Sequence, residues 1–132
     1  MPDYTITELD ISKNGLTQLP DDIHLYTNLK ILHCNENKIT QLDNLPQSIE
    51  VLYCSDNNLT QLDNLPLELK ILSCACNYIT QMNNLPIRLK ELICVRNKIT
   101  QLNYLPANLK ELFCFDNPLE YDFKPTLENI KV

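Results

Sequence analysis

Glycine is nearly absent from this chain, which has one Gly and no Trp in 132 residues. Tight turns must therefore rely on Asn and Asp, which enter left-handed backbone conformations at modest cost. Basic residues are also few, with Lys and Arg numbering 11 against 17 Asp and Glu, for a net charge of −6. That balance argues against sequence-independent binding of nucleic acid, which needs clustered cations to displace phosphate counterions. No apolar run approaches the roughly 18 residues of a membrane span. The segment Met1-Pro2-Asp3-Tyr4-Thr5 lacks the basic and apolar regions of an export signal, so a cytoplasmic location is expected. No Gly-rich phosphate loop, nucleophile elbow or metal-ligand spacing is found. The sequence therefore predicts no enzyme activity, no catalytic residue, no cofactor and no metal.

What the chain does contain is repetition. The stretch from Leu29 to Ile39, LKILHCNENKI, returns from Ile49, Leu69, Leu89 and Leu109, each copy 20 residues after the last. Between copies runs Thr-Gln-Leu-Asn/Asp-Asn-Leu-Pro with small changes. The apolar share of 44% suits an ordered chain. Upstream, Ile6 to Leu16 is the same motif with Ile11 in the cysteine slot, and its unit is three residues longer. The expected organisation is a single domain over 1–132, with a long first repeat at 6–28. Regular repeats follow at 29–48, 49–68, 69–88 and 89–108, then a last repeat at 109–126. The segment 127–132 fits LxxIxV and is expected to form a C-terminal capping strand.

The period and the LxxLxCxxN consensus resemble leucine-rich repeats, whose single units cannot bury their apolar side and are stable only as a stack. The expected fold is a repeat solenoid with a parallel β-sheet on the concave face. Alternation places positions three to seven of each unit in a strand, with positions four and six inward and three, five and seven outward. The segment after it is too short and too interrupted by Pro for a helix. Extended, polyproline-like or 3-10 segments are expected there, on the convex face. Their inward residues would be Leu42, Leu62, Met82 and Leu102, then Leu45, Leu65, Leu85 and Leu105. The Asn after each strand (Asn14, Asn37, Asn57, Asn77, Asn97, Asn117) is placed to bond backbone groups of the adjacent coil.

The short unit with Leu-Pro before the strand, as in Leu65-Pro66-Leu67-Glu68-Leu69-Lys70, is similar to bacterial-type repeats of secreted effector proteins. The Cys variant resembles repeats of bacteria living in eukaryotic cells and of amoebal giant viruses. Both resemblances imply a binding scaffold, acting in a host cytoplasm on a host protein. Some such effectors append a ubiquitin-ligase domain, and no segment here matches its length.

Cys34, Cys54, Cys74, Cys94 and Cys114 all occupy position six, where related repeats carry Leu. They read as small buried hydrophobes in a reducing compartment. A linear ladder cannot converge on a zinc ion, which needs about four ligands at one point. Cys76 stands at position eight, where other copies carry charge, and is expected at the surface. His24 and His33 form no ligand pair; His33 should face outward near Asp10 and Tyr53.

Function is expected on the outward strand positions. The third runs Glu8, Ile31, Val51, Ile71, Glu91, Glu111, and the fifth Asp10, His33, Tyr53, Ser73, Ile93, Phe113. The seventh runs Ser12, Asn35, Ser55, Ala75, Val95, Phe115. The N-terminal end is polar and acidic, and the C-terminal half is apolar. The predicted partner-binding residues are Val51, Tyr53, Ile71, Ile93, Val95, Phe113 and Phe115, since contiguous exposed apolar patches mark contact surfaces. The expected role is a protein-protein interaction module with an unknown protein partner, acting on neither nucleic acid nor membrane. The chain would be a monomer or would self-associate weakly. Three alternatives stay open: a structural or self-associating repeat protein, a thiol-dependent enzyme or redox protein using Cys76, and a C-terminal tail folded over Phe113 and Phe115.

Overall fold

The structure is a computed structural model and describes residues 1–130. Six short strands, β1 (Glu8–Asp10), β2 (Ile31–His33), β3 (Val51–Tyr53), β4 (Ile71–Ser73), β5 (Glu91–Ile93) and β6 (Glu111–Phe113), stack in sequence order into one sheet. Every neighbouring pair is parallel and in the repeat register, so that Leu32, Leu52, Leu72 and Leu92 face one another. The fold is a leucine-rich-repeat solenoid. One coil per repeat returns the chain to the sheet edge, which is how parallel strands are joined without crossing the sheet.

The strands are shorter than the five residues expected. Regular strand geometry ends at position five, because the backbone turns into the left-handed region at position eight, where Lys13, Glu36, Asp56, Cys76, Arg96 and Asp116 all have positive φ. The ladder nonetheless runs on past the strands. Cys54 N–H donates to Ser73 O at 2.8 Å and Asp56 N–H to Ala75 O at 2.9 Å, a pattern repeated from coil to coil. A second left-handed position falls on Asn44, Asn64, Asn84 and Tyr104. Asn and Asp thus fill many of these slots, as the scarcity of Gly requires. Lys, Glu, Arg, Cys and Tyr fill the rest, at a local cost of about 1–2 kcal/mol each.

The core is a column of identical rows. Leu32, Leu52, Leu72 and Leu92 are fully buried, as are Cys34, Cys54, Cys74 and Cys94 behind them. The return arms carry no regular element except a 3-10 turn at Ile23–Leu25 in the longer first unit. They contribute Leu42, Leu62, Met82 and Leu102 and then Leu45, Leu65 and Leu85 to the same core, with Leu105 partly buried. Pro46, Pro66, Pro86 and Pro106 are buried. Proline suits that place because it has no N–H to leave unpaired. Each also closes a turn, with Leu69 N–H donating to Pro66 O at 3.2 Å and Leu89 N–H to Pro86 O at 3.1 Å.

Asn at position nine ties coil to coil. Asn77 Nδ2 donates to Cys54 O and Cys74 O, each at 3.1 Å, and to Ala75 O at 3.2 Å. Its Oδ1 accepts from Leu59 N–H at 3.0 Å. The amide therefore satisfies backbone groups of two consecutive coils at once. Asn57 and Asn97 repeat the pattern, Asn37 does so at the long first unit, and Asn117 closes it at the last.

The C-terminal segment departs from expectation. The strand foreseen at 127–132 is instead, over its described part, a single helical turn, α1 (Leu127–Ile130). Lys131 and Val132 lie outside the described residues. The local chemistry explains the difference. Thr126 Oγ1 accepts from Asn129 N–H at 3.3 Å and Thr126 O from Ile130 N–H at 2.9 Å, which is N-cap geometry. Glu128 in the first turn suits the positive end of the helix. Leu127 and Ile130, three apart on one face, pack against the end of the core.

Candidate functional site

The strand alternation delivers its third, fifth and seventh positions to one continuous face. Val51, Tyr53, Ile71, Ile93 and Val95 are half-buried there, while Phe113 and Phe115 are 43% and 62% exposed. The register places Ile93 beside Phe113, and Arg96 N–H bonding to Phe115 O at 3.1 Å places Val95 beside Phe115. These four side chains thus form one cluster on β5 and β6. Val51 and Ile71 are register partners and continue into Ile31, which the sequence reading left out of the site. The third-position column carried that signal.

Tyr53 does not join the cluster. Ser73 separates it from Ile93, and its ring stacks on His33 with centroids 5.0 Å apart and planes at 18°. Asp10 is the register partner of His33 and lies near it, but the carboxylate that bonds the imidazole is Glu8, one strand over and diagonal, whose Oε2 meets His33 Nε2 at 2.8 Å. Asp10 turns to its own chain. Its Oδ1 accepts from Ser12 N–H at 2.9 Å, and that bond, followed by the Ser12 hydroxyl, holds its carboxyl below the usual range. Polar bonding continues along the seventh-position row. Ser12 Oγ accepts from Asn35 N–H, Asn35 Oδ1 from Ser55 N–H, and Ser55 Oγ lies 3.1 Å from Ser73 Oγ. The N-terminal half of the face is therefore internally bonded, and the C-terminal half carries the apolar cluster, bordered by Glu91 and Glu111.

The tail does not fold over the phenylalanines among the described residues. It covers the end of the core instead: Pro125 O accepts from Cys114 Sγ at 3.4 Å, and Tyr121, stacked on Phe123, accepts from Leu102 N–H at 2.7 Å. Other apolar side chains are exposed off the strand face. Leu67 and Ile87, on the turns after Pro66 and Pro86, are 70% and 78% exposed. The sequence reading missed them, although the column Gln47, Leu67, Ile87, Ala107 shows the substitution of apolar for polar.

The cysteine ladder is sealed. Burial pushes the Cys34 and Cys74 thiols up from an ordinary 9.0 to about 12, and raises Cys54, Cys94 and Cys114 as well. All six cysteines are free. Cys76 is half-buried in an open depression on the flank, among Asp56, Tyr78, Arg96 and Lys98. Among the described residues, no hydrogen bond joins its thiol to a base. Nor is any group of three or more His, Cys, Asp or Glu there placed to hold a metal ion. No helix among them is long and apolar enough to cross a membrane.

Residues 5–25 match the family described as Leucine Rich Repeat. The same motif recurs in register along the rest of the sheet. The chain has the leucine-rich-repeat fold. The leucine-rich-repeat domain of a Shigella effector is 25% identical, with a TM-score of 0.65 over 94% of this chain and 64% of that one. YopM from Yersinia enterocolitica is 29% identical, with a TM-score of 0.66 over 89% of this chain and 30% of that one. The functional domain of InlJ from Listeria monocytogenes, described as including a cysteine ladder, is 25% identical. It superposes with a TM-score of 0.54 over 89% of this chain and 34% of that one. This leucine-rich-repeat chain thus spans less than two thirds of each of these structures. No curated protein matches its sequence.

Proposed function

We propose that this leucine-rich-repeat chain is a protein-interaction module that binds a protein partner through the C-terminal half of its strand face. The observation that carries the reading is the cluster of Ile93, Val95, Phe113 and Phe115. It is apolar, lies on two adjacent strands and is left uncovered by the tail among the described residues. Aromatic anchors dominate the energetics of protein interfaces, and a contiguous exposed apolar patch marks a contact surface. The resemblance to bacterial effectors supports a host protein as the partner and a host cytoplasm as the place of action. Cys76 shares its depression with Arg96 and Lys98, but among the described residues its thiol bonds to no base that would activate it as a nucleophile.

The double substitution Phe113→Asp with Phe115→Asp tests the proposal. Both rings are exposed, so the variant should keep its circular dichroism spectrum and lose less than about 1 kcal/mol of stability. Its affinity for the purified partner should fall by about 2 kcal/mol or more, as for a truncated hot spot. Glu8→Ala with Asp10→Ala, at the bonded polar end, should bind nearly as well as the parent. Unchanged binding by the double Phe variant would overturn the proposal.

A further inference from the structure

The charges on the strand face are of one sign. Its outward positions carry the carboxylates of Glu8, Asp10, Glu91 and Glu111, and among the described residues no Lys or Arg stands at any third, fifth or seventh position. The cations of the repeats are elsewhere. Lys30, Lys70, Lys90 and Lys110 stand at position two, Arg88 lies before the strand, and Lys13, Lys38, Arg96 and Lys98 lie on the turn after it. Several are already engaged off the face, Lys70 with Glu50 at 2.9 Å, Arg88 with Glu68 at 2.8 Å and Arg96 with Asp116 at 3.4 Å.

The four carboxylates are not equivalent. Glu8 meets His33, and Asp10 accepts from the backbone of Ser12. Glu91 and Glu111 are register partners on β5 and β6, one strand spacing apart, and no cation among the described residues lies within ion-pair distance of either. Lys90 and Lys110 precede them in the chain without pairing with them. Two like charges on adjacent strands repel, so the arrangement is mildly unfavourable in the free protein. They also border the apolar cluster directly, Glu91 two residues from Ile93 and Glu111 two residues from Phe113 on the same face.

Resting on the binding role proposed above, we infer that the partner presents a basic segment, with Lys or Arg beside an aromatic or aliphatic side chain. The apolar side chain seats on Ile93, Val95, Phe113 and Phe115, and the cation lies across Glu91 and Glu111. Arg suits the second place because its planar guanidinium can face two carboxylates and its stem can lie along the phenylalanine rings. The same charge pattern disfavours a second copy of this chain as the occupant. Face-to-face pairing would set carboxylates against carboxylates with no Lys or Arg from either side, and like charge across an interface selects against that partner.

A phage-displayed library of random peptides, selected on the immobilised full chain, tests the inference. Peptides lost by Phe113→Asp with Phe115→Asp are those that bind the face. These should be enriched in Arg or Lys next to Phe, Trp or Leu. They should bind Glu91→Gln with Glu111→Gln about tenfold more weakly, with a smaller loss of affinity on raising salt than the parent shows. Gln is nearly isosteric and exposed, and an unchanged circular dichroism spectrum separates lost charge from lost fold. Face-binding peptides that are neutral or acidic, or that bind the Gln variant as tightly, would overturn the basic partner while leaving the binding face intact. Selected peptides that are all indifferent to the Phe substitutions would overturn the face itself. Dimerisation abolished by the Phe substitutions would overturn the inference by making a second copy the occupant.

Discussion

The thiols at position six line the interior of the stack. Cys54, Cys74 and Cys94 are fully buried, one above another on successive coils. Their chemistry follows from that burial, since a thiolate deep in the core would lose its hydration without gaining a counter-ion. The raised native values set the sign of the pH dependence. An unfolded thiol titrates near 9.0, and the native Cys34 and Cys74 near 12. Well below pH 9.0, at about pH 7, both states are protonated and the thiols leave stability unchanged with pH. Between the two values the unfolded chain has fewer bound protons, so stability should fall as pH rises through that window. Denaturant unfolding at stepped alkaline pH, with thiolate absorbance followed in parallel, checks the slope. At neutral pH only Cys76 should react readily with a thiol reagent in the native protein. Fast labelling of several thiols before unfolding would mean that the repeat register is wrong.

The asparagine ladder shows how the same residue differs with its place. Asn77 is buried and bonds carbonyls on two coils, whereas Asn117 makes a similar set of bonds at the half-exposed end. Replacing Asn77→Ala should strand buried backbone groups and cost about 1–3 kcal/mol. Asn117→Ala should cost measurably less, because water can reach the carbonyls it leaves. Equal losses in denaturant melts would show that the turn is held by other contacts.

At the scale of the element, what repeated could be read and what occurred once could not. The alternation around Leu72 and Cys74 recurs in every coil, so the sheet, its parallel order and the inward and outward faces follow from one unit. The left-handed position eight was harder to see, because Lys, Glu, Asp, Cys and Arg share no property that announces it. The tail was misjudged for a related reason. LxxIxV matches the start of a repeat, but Thr126 caps a helical turn with its own hydroxyl, and one local bond outweighed the pattern. Replacing Thr126→Ala should therefore loosen α1 at a cost of about 0.5–2 kcal/mol. Because Pro125 lies against Cys114, the substitution should also speed thiol labelling of Cys114. Labelling as slow as in the parent would show that the cap is held by Leu127 and Ile130 alone.

At the scale of the whole molecule, the solenoid separates stability from recognition. The inward rows and the asparagine ladder hold the coils together, and the outward rows vary without disturbing them. This division is why the sequence exposes Phe113 and Phe115 as candidates and sets His33 beside Tyr53, and why it could not foresee that the two rings would stack. The first depends on strand direction alone, the second on ring orientation across strands. It also leaves rival surfaces, since Leu67 and Ile87 project from the turns that lead into β4 and β5.

Chemical-shift mapping of the isotopically labelled chain, titrated with a purified partner or a selected peptide, separates these surfaces in one measurement. The account predicts that the largest shifts fall on the outward positions of β5 and β6, at Glu91, Ile93, Val95, Glu111, Phe113 and Phe115, fading toward β1. Shifts centred on the flank around Cys76, or on the turns bearing Leu67 and Ile87, with the strand face undisturbed, would contradict it.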